Sequence, residues 1–172
     1  MTILPVLRYP NPILRVKSEL VEKVNQEIQR IIGDMIDTMY ASPGCVGVAA
    51  PQVGYPLRIF VIDVSTKAGP KKNHGLLVVI NPVIVYVEGE KIIREGCLSI
   101  PDFLGNVKRA RRTILRGINQ EGEGVEILSQ GLEAIAVQHE IDHLDGVLFI
   151  HRVNSVGTDL TRRKKPTEDP VS

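Results

Sequence analysis

His139 and His143 stand four residues apart in Gln138-His139-Glu140-Ile141-Asp142-His143-Leu144, a spacing that on a helix stacks two imidazoles on one face. Such a pair can aim at a single metal ion. Glu140 follows the first histidine and can reach a water at that ion, as hydrolytic metalloenzymes require of the carboxylate that draws a proton from their nucleophile. If a tetrahedral ion is to keep one position for a reactive water, two imidazoles leave it short of one protein ligand. Cys97, in Glu95-Gly96-Cys97-Leu98-Ser99, is a candidate, because a strand packed on the helix would bring its thiolate to the histidines. The other reading of Cys97 is a small buried hydrophobe, the usual fate of a lone cysteine, and spacing alone does not choose between them.

A third stretch, Val46-Gly47-Val48-Ala49-Ala50-Pro51-Gln52-Val53-Gly54, is rich in small residues that permit close approach of a second backbone. Its Gln52 carries an amide that could donate to an oxyanion. The alternative is a tightly packed strand and turn with Gln52 on the surface.

These residues need elements to position them. Asn25 is placed as the N-cap of a helix running to about Tyr40, with Ile28, Ile31, Ile32, Met35, Ile36 and Met39 in one apolar stripe that reads as core. Asn11-Pro12 starts a short helical turn before it. Runs rich in Ile and Val over 57–64, 76–87, 91–100, 107–118 and 123–128 read as strands. They are too closely spaced for helical crossovers, so antiparallel pairing follows, and Pro82 marks an edge or a bulge in the longest run. The loop over 66–75, with Lys67, Lys71, Lys72 and His74, reads as a solvated connection whose charges need no partner. A last helix is expected from near Ser129 to Asp145-Gly146, apolar on most of its circumference and therefore buried, with both histidines turned inward. The fold class is α+β: antiparallel sheets around a buried C-terminal helix that carries His-Glu-x-x-His, plus an N-terminal amphipathic helix.

The 172 residues fit a single domain, placed at 1–153, followed by a short tail at 154–172 that reads as a flexible, solvated terminus. A net charge of +1 with 24% charged residues gives no general attraction to nucleic acid or to a membrane surface. With no signal-peptide pattern, no apolar run long enough to span a bilayer and only Cys45 and Cys97 as cysteines, the expected location is the cytoplasm.

Taken together and in this order, the three stretches resemble the three signature motifs of bacterial peptide deformylases: Gly-x-Gly-x-Ala-Ala-Pro-Gln, Glu-Gly-Cys-Leu-Ser and Gln-His-Glu-x-x-His-Leu. With Pro10-Asn11-Pro12-Ile13-Leu14-Arg15, the similarity covers residues 1 to about 150. The resemblance implies hydrolysis of the formyl group from N-formyl-methionyl termini of new polypeptides, releasing formate. It implies that Cys97, His139 and His143 hold a divalent ion, iron(II) in the cell, with zinc, nickel or cobalt as substitutes. Glu140 then takes a proton from the attacking water and delivers it to the leaving amine, while Gln52 and the Leu98 backbone N–H meet the oxyanion. The methionine side chain is placed against Val46, Ile93, Leu132, Ile135 and Ala136, with Glu95 and the Gly47 backbone nearby. Asp142, off the ligand face, is expected to pair with Arg109 or a neighbouring basic residue.

Three positions depart from the family pattern. Cys45 replaces the first glycine of the first motif, and Leu104 stands where some members have an Arg that helps hold the substrate backbone. The tail after Val153 is short and broken by prolines, so the ribosome docking linked in the family to a C-terminal helix is not carried over. Two other readings remain at this point. A His-Glu-x-x-His peptidase would draw its third ligand from Asp145, His151, Asp159, Glu168 or Asp169, and a closed, non-catalytic metal module would use Cys45 as its fourth.

Overall fold

The computed structural model describes residues 2–68 and 73–164. Helix α1 (Gln26–Ala41) begins where the sequence places it: the Asn25 side chain accepts from the Ile28 N–H at 3.0 Å, satisfying one of the donors left open at a helix start. Its stripe of Ile28, Ile31, Ile32, Met35 and Met39 is buried.

Two antiparallel sheets follow. The larger has the order β1-β2-β3-β6-β7, formed by β1 (Gly47–Ala49), β2 (Ile59–Ile62), β3 (Leu77–Glu88), β6 (Arg112–Ile118) and β7 (Gly124–Gln130). The smaller has the order β4-β5-β8, from β4 (Lys91–Cys97), β5 (Ile100–Arg109) and β8 (Leu160–Arg162). Helix α3 (Leu132–Leu144) packs on the larger sheet, and α2 (Ser65–Ala68) and α4 (Val156–Asp159) are single turns.

Strand β2 shows why the large sheet sits where it does. Successive side chains point to opposite faces, so Ile59 and Val61 join the α1 stripe while Phe60 and Ile62 pack with Ala136, Val137, Ile141 and Leu144 of α3. All four are fully buried, each contributing roughly 1.5–3 kcal/mol relative to exposure. A third cluster, Leu14, Cys97, Ile100, Val107, Leu148 and Phe149, joins the small sheet to the N-terminal segment and to the chain after α3.

The structure corrects several sequence boundaries. Helix α3 starts at Leu132 rather than near Ser129, because β7 keeps its pairing through Ser129 (opposite Thr113) to Gln130, and Gly131 makes the turn. The run 107–118 is two strands broken at Ala110-Arg111, where the Gln138 side chain replaces the ladder: its Oε1 accepts from Ala110 N at 2.9 Å and its Nε2 donates to Ala110 O at 3.0 Å. The loop at 66–75 is anchored and not merely solvated. Lys67 Nζ donates to Gly44 O at 2.5 Å, and the His74 backbone and imidazole meet the Glu133 carboxylate at 2.8 and 2.9 Å. Glu133 is buried in the first turn of α3 and needs those donors. Lys71 and Lys72 lie outside the described residues. Of the tail, α4 and β8 occupy 156–162, and 165–172 lie outside the described residues. No helix among the described residues is long and apolar enough to cross a membrane.

Pro82 sits in an interior strand at a register shift between Ile80 and Val83, so the bulge is the reading that holds. Asn81 makes the bulge with φ +52°, and its side chain accepts from Val21 N and donates to Val21 O, both at 2.9 Å. Asn81→Gly should therefore destabilise the fold by roughly 1–3 kcal/mol through loss of both bonds. Asn81→Ala should cost about 1–2 kcal/mol more, because alanine also pays for the left-handed backbone. Thermal denaturation ranks the two; an alanine variant as stable as the glycine variant would show that the backbone relaxes at the bulge.

Candidate metal centre

Helix α3, buried on most sides, presents His139 and His143 toward the end of β4, where Cys97 precedes the two-residue turn into β5. A register shift between Glu95 and Cys97 in the β4–β5 pair re-aims the thiol. Cys97 Sγ lies 3.2 Å from His143 Nε2, and one donor atom from each of Cys97, His139 and His143 falls within 4.8 Å of the others. Burial works against the Cys97 thiolate, but His143 and then His139 overcome it and hold the thiol well below its ordinary range. The set fits a borderline divalent ion: one thiolate and two imidazole nitrogens, close enough to share one centre.

None of the other ligand candidates joins that group among the described residues. Asp145 is paired with Arg58 at 2.8 Å, the His151 ring accepts from Leu148 N at 3.0 Å, and Cys45 donates its thiol to Gly47 O at 3.0 Å. Asp159 Oδ2 accepts from Ser155 N at 3.0 Å, so among the described residues neither the peptidase reading nor the four-ligand reading finds the ligand it needs; Glu168 and Asp169 lie outside the described residues.

Glu140 is 3% exposed, and its Oε2 has no hydrogen-bond partner among the described residues. Burial pushes its carboxyl up to about 7, with the two imidazoles working against the shift. A Cβ on Gly47 would lie 2.6 Å from Glu140 Oε1 and 2.8 Å from Ile62, so β1 needs glycine there for the carboxylate to occupy its place. Gln52 is buried, not on the surface. Its Oε1 accepts from Ala49 N at 2.9 Å, which turns Nε2 toward Ser99 Oγ at 3.2 Å and Cys97 Sγ at 3.5 Å. The N-terminal segment fixes both flanks, as Leu7 N donates to Gln52 O and Tyr9 N to Ser99 O, at 2.7 and 2.9 Å.

Behind the donors lies a buried ion network of which the sequence indicates only one pair. Arg109 Nε and Nη2 donate to the two Glu95 oxygens at 2.6 and 2.9 Å, and Nη1 donates to Asp142 at 2.6 Å. Arg152 adds two bonds to Asp142, at 2.7 and 3.2 Å. Glu95 Oε2 also accepts from His139 Nδ1 at 2.8 Å, which fixes the tautomer and leaves Nε2 free for an ion. Both carboxylate oxygens of Glu95 are thereby engaged in holding the ligand, although the residue also lines the cleft.

That cleft, of about 530 Å³, is lined by Val46, Gly47, Ile93, Leu98, Leu132, Ile135 and Ala136 together with Gln52, Cys97, His139 and Glu140. Apolar walls and a polar floor are what a small apolar side chain with a reacting amide would need.

The description "Polypeptide deformylase" belongs to the family whose pattern matches residues 3–159. The peptide deformylase of Syntrophobacter fumaroxidans is 45% identical over 164 residues, covering 95% of this chain and 94% of that protein. That of Thermodesulfovibrio yellowstonii is 43% identical over 168 residues, covering 98% and 99%. Among solved structures, the peptide deformylase of Thermotoga maritima superposes with a TM-score of 0.81 at 36% identity, over 90% of this chain and all of the other. The Ehrlichia chaffeensis enzyme in complex with actinonin gives 0.84 at 35%, over 91% and 92%.

Two outcomes follow from the network. Asp142→Asn should destabilise the fold by roughly 1–3 kcal/mol by weakening bonds to two cations, and should loosen metal retention about 10- to 100-fold. Unchanged melting and unchanged metal content would separate Asp142 from the site. Burial raises Glu95, but Arg109 and then His139 bring it down to about 2 from an ordinary 4.5. A depressed carboxyl stabilises the fold fully above its ordinary value, and the contribution fades as pH falls from 4.5 toward 2. Denaturant titrations across that window should show the loss in the native chain and a smaller one in Glu95→Gln.

Proposed function

This chain belongs to the polypeptide deformylase family, and from that membership we propose that it removes the formyl group from N-formyl-methionyl peptides, releasing formate. The observation that carries the reading is the meeting, in one apolar cleft, of three metal donors, the unpartnered Glu140 carboxylate oxygen and the buried Gln52 amide. Cys97, His139 and His143 would hold a divalent ion, and the chemistry it would supply there is Lewis acidity, which would lower the pKa of a water and polarise the formyl oxygen. Iron(II) is our assignment in the cell, with zinc, nickel and cobalt as substitutes that the same donors accept.

The chain's residues do the rest. Glu140 removes the proton as water attacks the formyl carbon, and returns it to the amine nitrogen as the C–N bond breaks, so that water and formamide become formate and a free amino terminus. Gln52 Nε2 and the Leu98 N–H donate to the oxyanion, which is where donors are worth most, since charge develops there only in the transition state. Val46, Ile93, Leu132, Ile135 and Ala136 exclude water and hold the methionine side chain, beside the Gly47 backbone. We place the protein in the cytoplasm, where formylated chains emerge.

Formate release from formyl-Met-Ala-Ser by iron- or cobalt-loaded protein tests the reading. Glu140→Ala should abolish turnover, and Gln52→Ala should lower it about a hundred- to a thousandfold with the metal retained. No release by the native chain above the Glu140→Ala control would remove the assignment. Cys97→Ser should lose most of the bound metal while the fold persists, since a core of this size does not depend on the ion. Full metal stoichiometry in that variant would mean that the third ligand lies elsewhere.

A further inference from the structure

Strand β8 brings a cation into the cleft from the far end of the chain. It pairs with β5 so that Thr161 lies opposite Leu104, and Arg163 extends the pairing by donating its N–H to Asp102 O at 2.7 Å. Side chains alternate along a strand, so Arg163 shares the face of Thr161 and of Leu104 opposite it. The guanidinium is seated on Gly96, next to the ligand Cys97. A Cβ built on Gly96 would lie 2.6 Å from Arg163 Nη2 and 2.9 Å from Leu104 Cδ2, so both side-chain ends rest against the bare glycine. Arg163 lines the same cleft as Gln52 and Glu140, and its side chain makes no ion pair or hydrogen bond among the described residues.

A guanidinium carries up to five N–H donors, and here they are uncommitted at the wall of a peptide cleft. The chemistry demands donors at this place: a formylated terminus seated at Cys97 has to leave the cleft as extended backbone whose carbonyls lose water. Leu104, the neighbouring side chain on that wall, has nothing to donate. We propose that Arg163 is a substrate-binding residue, donating to main-chain carbonyl oxygens of the substrate residues that follow the formyl-methionine, so that the C-terminal strand forms part of the peptide site. The inference rests on the deformylase reading and names the residue that holds the peptide beyond its first side chain.

Steady-state kinetics with formyl-Met-Ala-Ser-amide and with formyl-methionine amide tests it. Arg163→Ala should raise KM for the longer substrate about tenfold with kcat within about twofold, the pattern of a contact made equally in ground and transition states. Formyl-methionine amide, which lacks the contacted residues, should be hydrolysed as before. Arg163→Gln, which keeps most of the volume, should show the same selective rise, and adding Leu104→Arg to Arg163→Ala should recover most of the loss from the same wall. Arg8 and Arg94 also line the cleft. A comparable KM rise in Arg8→Ala and Arg94→Ala would replace the specific contact with general attraction by a basic rim. An unchanged KM in Arg163→Ala, or an equal loss on both substrates, would overturn the proposal. Calorimetric binding of the product peptide Met-Ala-Ser-amide gives a reading independent of turnover: it should weaken about tenfold in Arg163→Ala. A native chain that binds this peptide but releases no formate would refute the deformylase reading and leave the Arg163 contact measured.

Discussion

The site depends on one buried cation. Arg109 is 5% exposed and fully charged, a condition that a protein interior tolerates only where opposite charge and hydrogen bonds surround it. Glu95 on β4 and Asp142 on α3 provide both. A guanidinium is a rigid fork, so the three bonds that satisfy Arg109 also fix the distance between the small sheet and α3. Glu95 then passes that rigidity on to His139 through its second oxygen. The ion network therefore acts less as a source of stability than as a gauge that sets one imidazole relative to the strand bearing Cys97.

The donors themselves come from both halves of the fold. Cys97 ends a strand of the small sheet, while His139 and His143 belong to the helix that packs on the large one. Between them, Glu140 and the Nδ1 of His143 are buried without partners among the described residues, an arrangement that costs folding energy and is kept where polar groups are to be used. Ile141 and Leu144 on α3, with Phe60 and Ile62 below them, supply the apolar burial that offsets this cost. Gly47 belongs to the same compromise, since its missing side chain is the space Glu140 occupies.

Much of this was legible in the residues. The 3.6-residue period and the Asn25 cap locate α1 to within one residue, since local chemistry and tertiary packing agree there. His139, Glu140 and His143 announce themselves by type and spacing, Cys97 becomes a ligand only through the resemblance of the three motifs to the family, and the expected partner of Asp142 is Arg109. The misses share a cause: they are settled by contacts distant in sequence. Strand β7 runs past the apparent start of α3 because Ser129 pairs with Thr113, and a strand expected to continue through Ala110 ends because Gln138 takes over its backbone bonds. Glu95 is placed beside the pocket by the resemblance and does line the cleft; what only the fold shows is that its carboxylate is also bound to Arg109 and His139.

The tail makes the same point more sharply. Composition after Val153, with mixed charge and prolines, reads as a solvated terminus, and nothing local distinguishes Arg163 from the basic residues on either side of it. What singles it out is strand register. Pairing of Phe103, Leu104 and Gly105 with Arg162, Thr161 and Leu160 fixes which side chains face the cleft, and a one-residue slip would turn Arg163 away and Arg162 in. Register is held here by a few short-range features: Leu160 packs in the cluster around Phe149, whose ring fills the space above Gly105, and the Arg163 N–H bonds to Asp102 O. The residues that orient the cleft wall thus lie mostly outside the three motifs that carry the chemistry, and a reading confined to those motifs locates the reacting atoms but not the surface that grips the rest of the peptide.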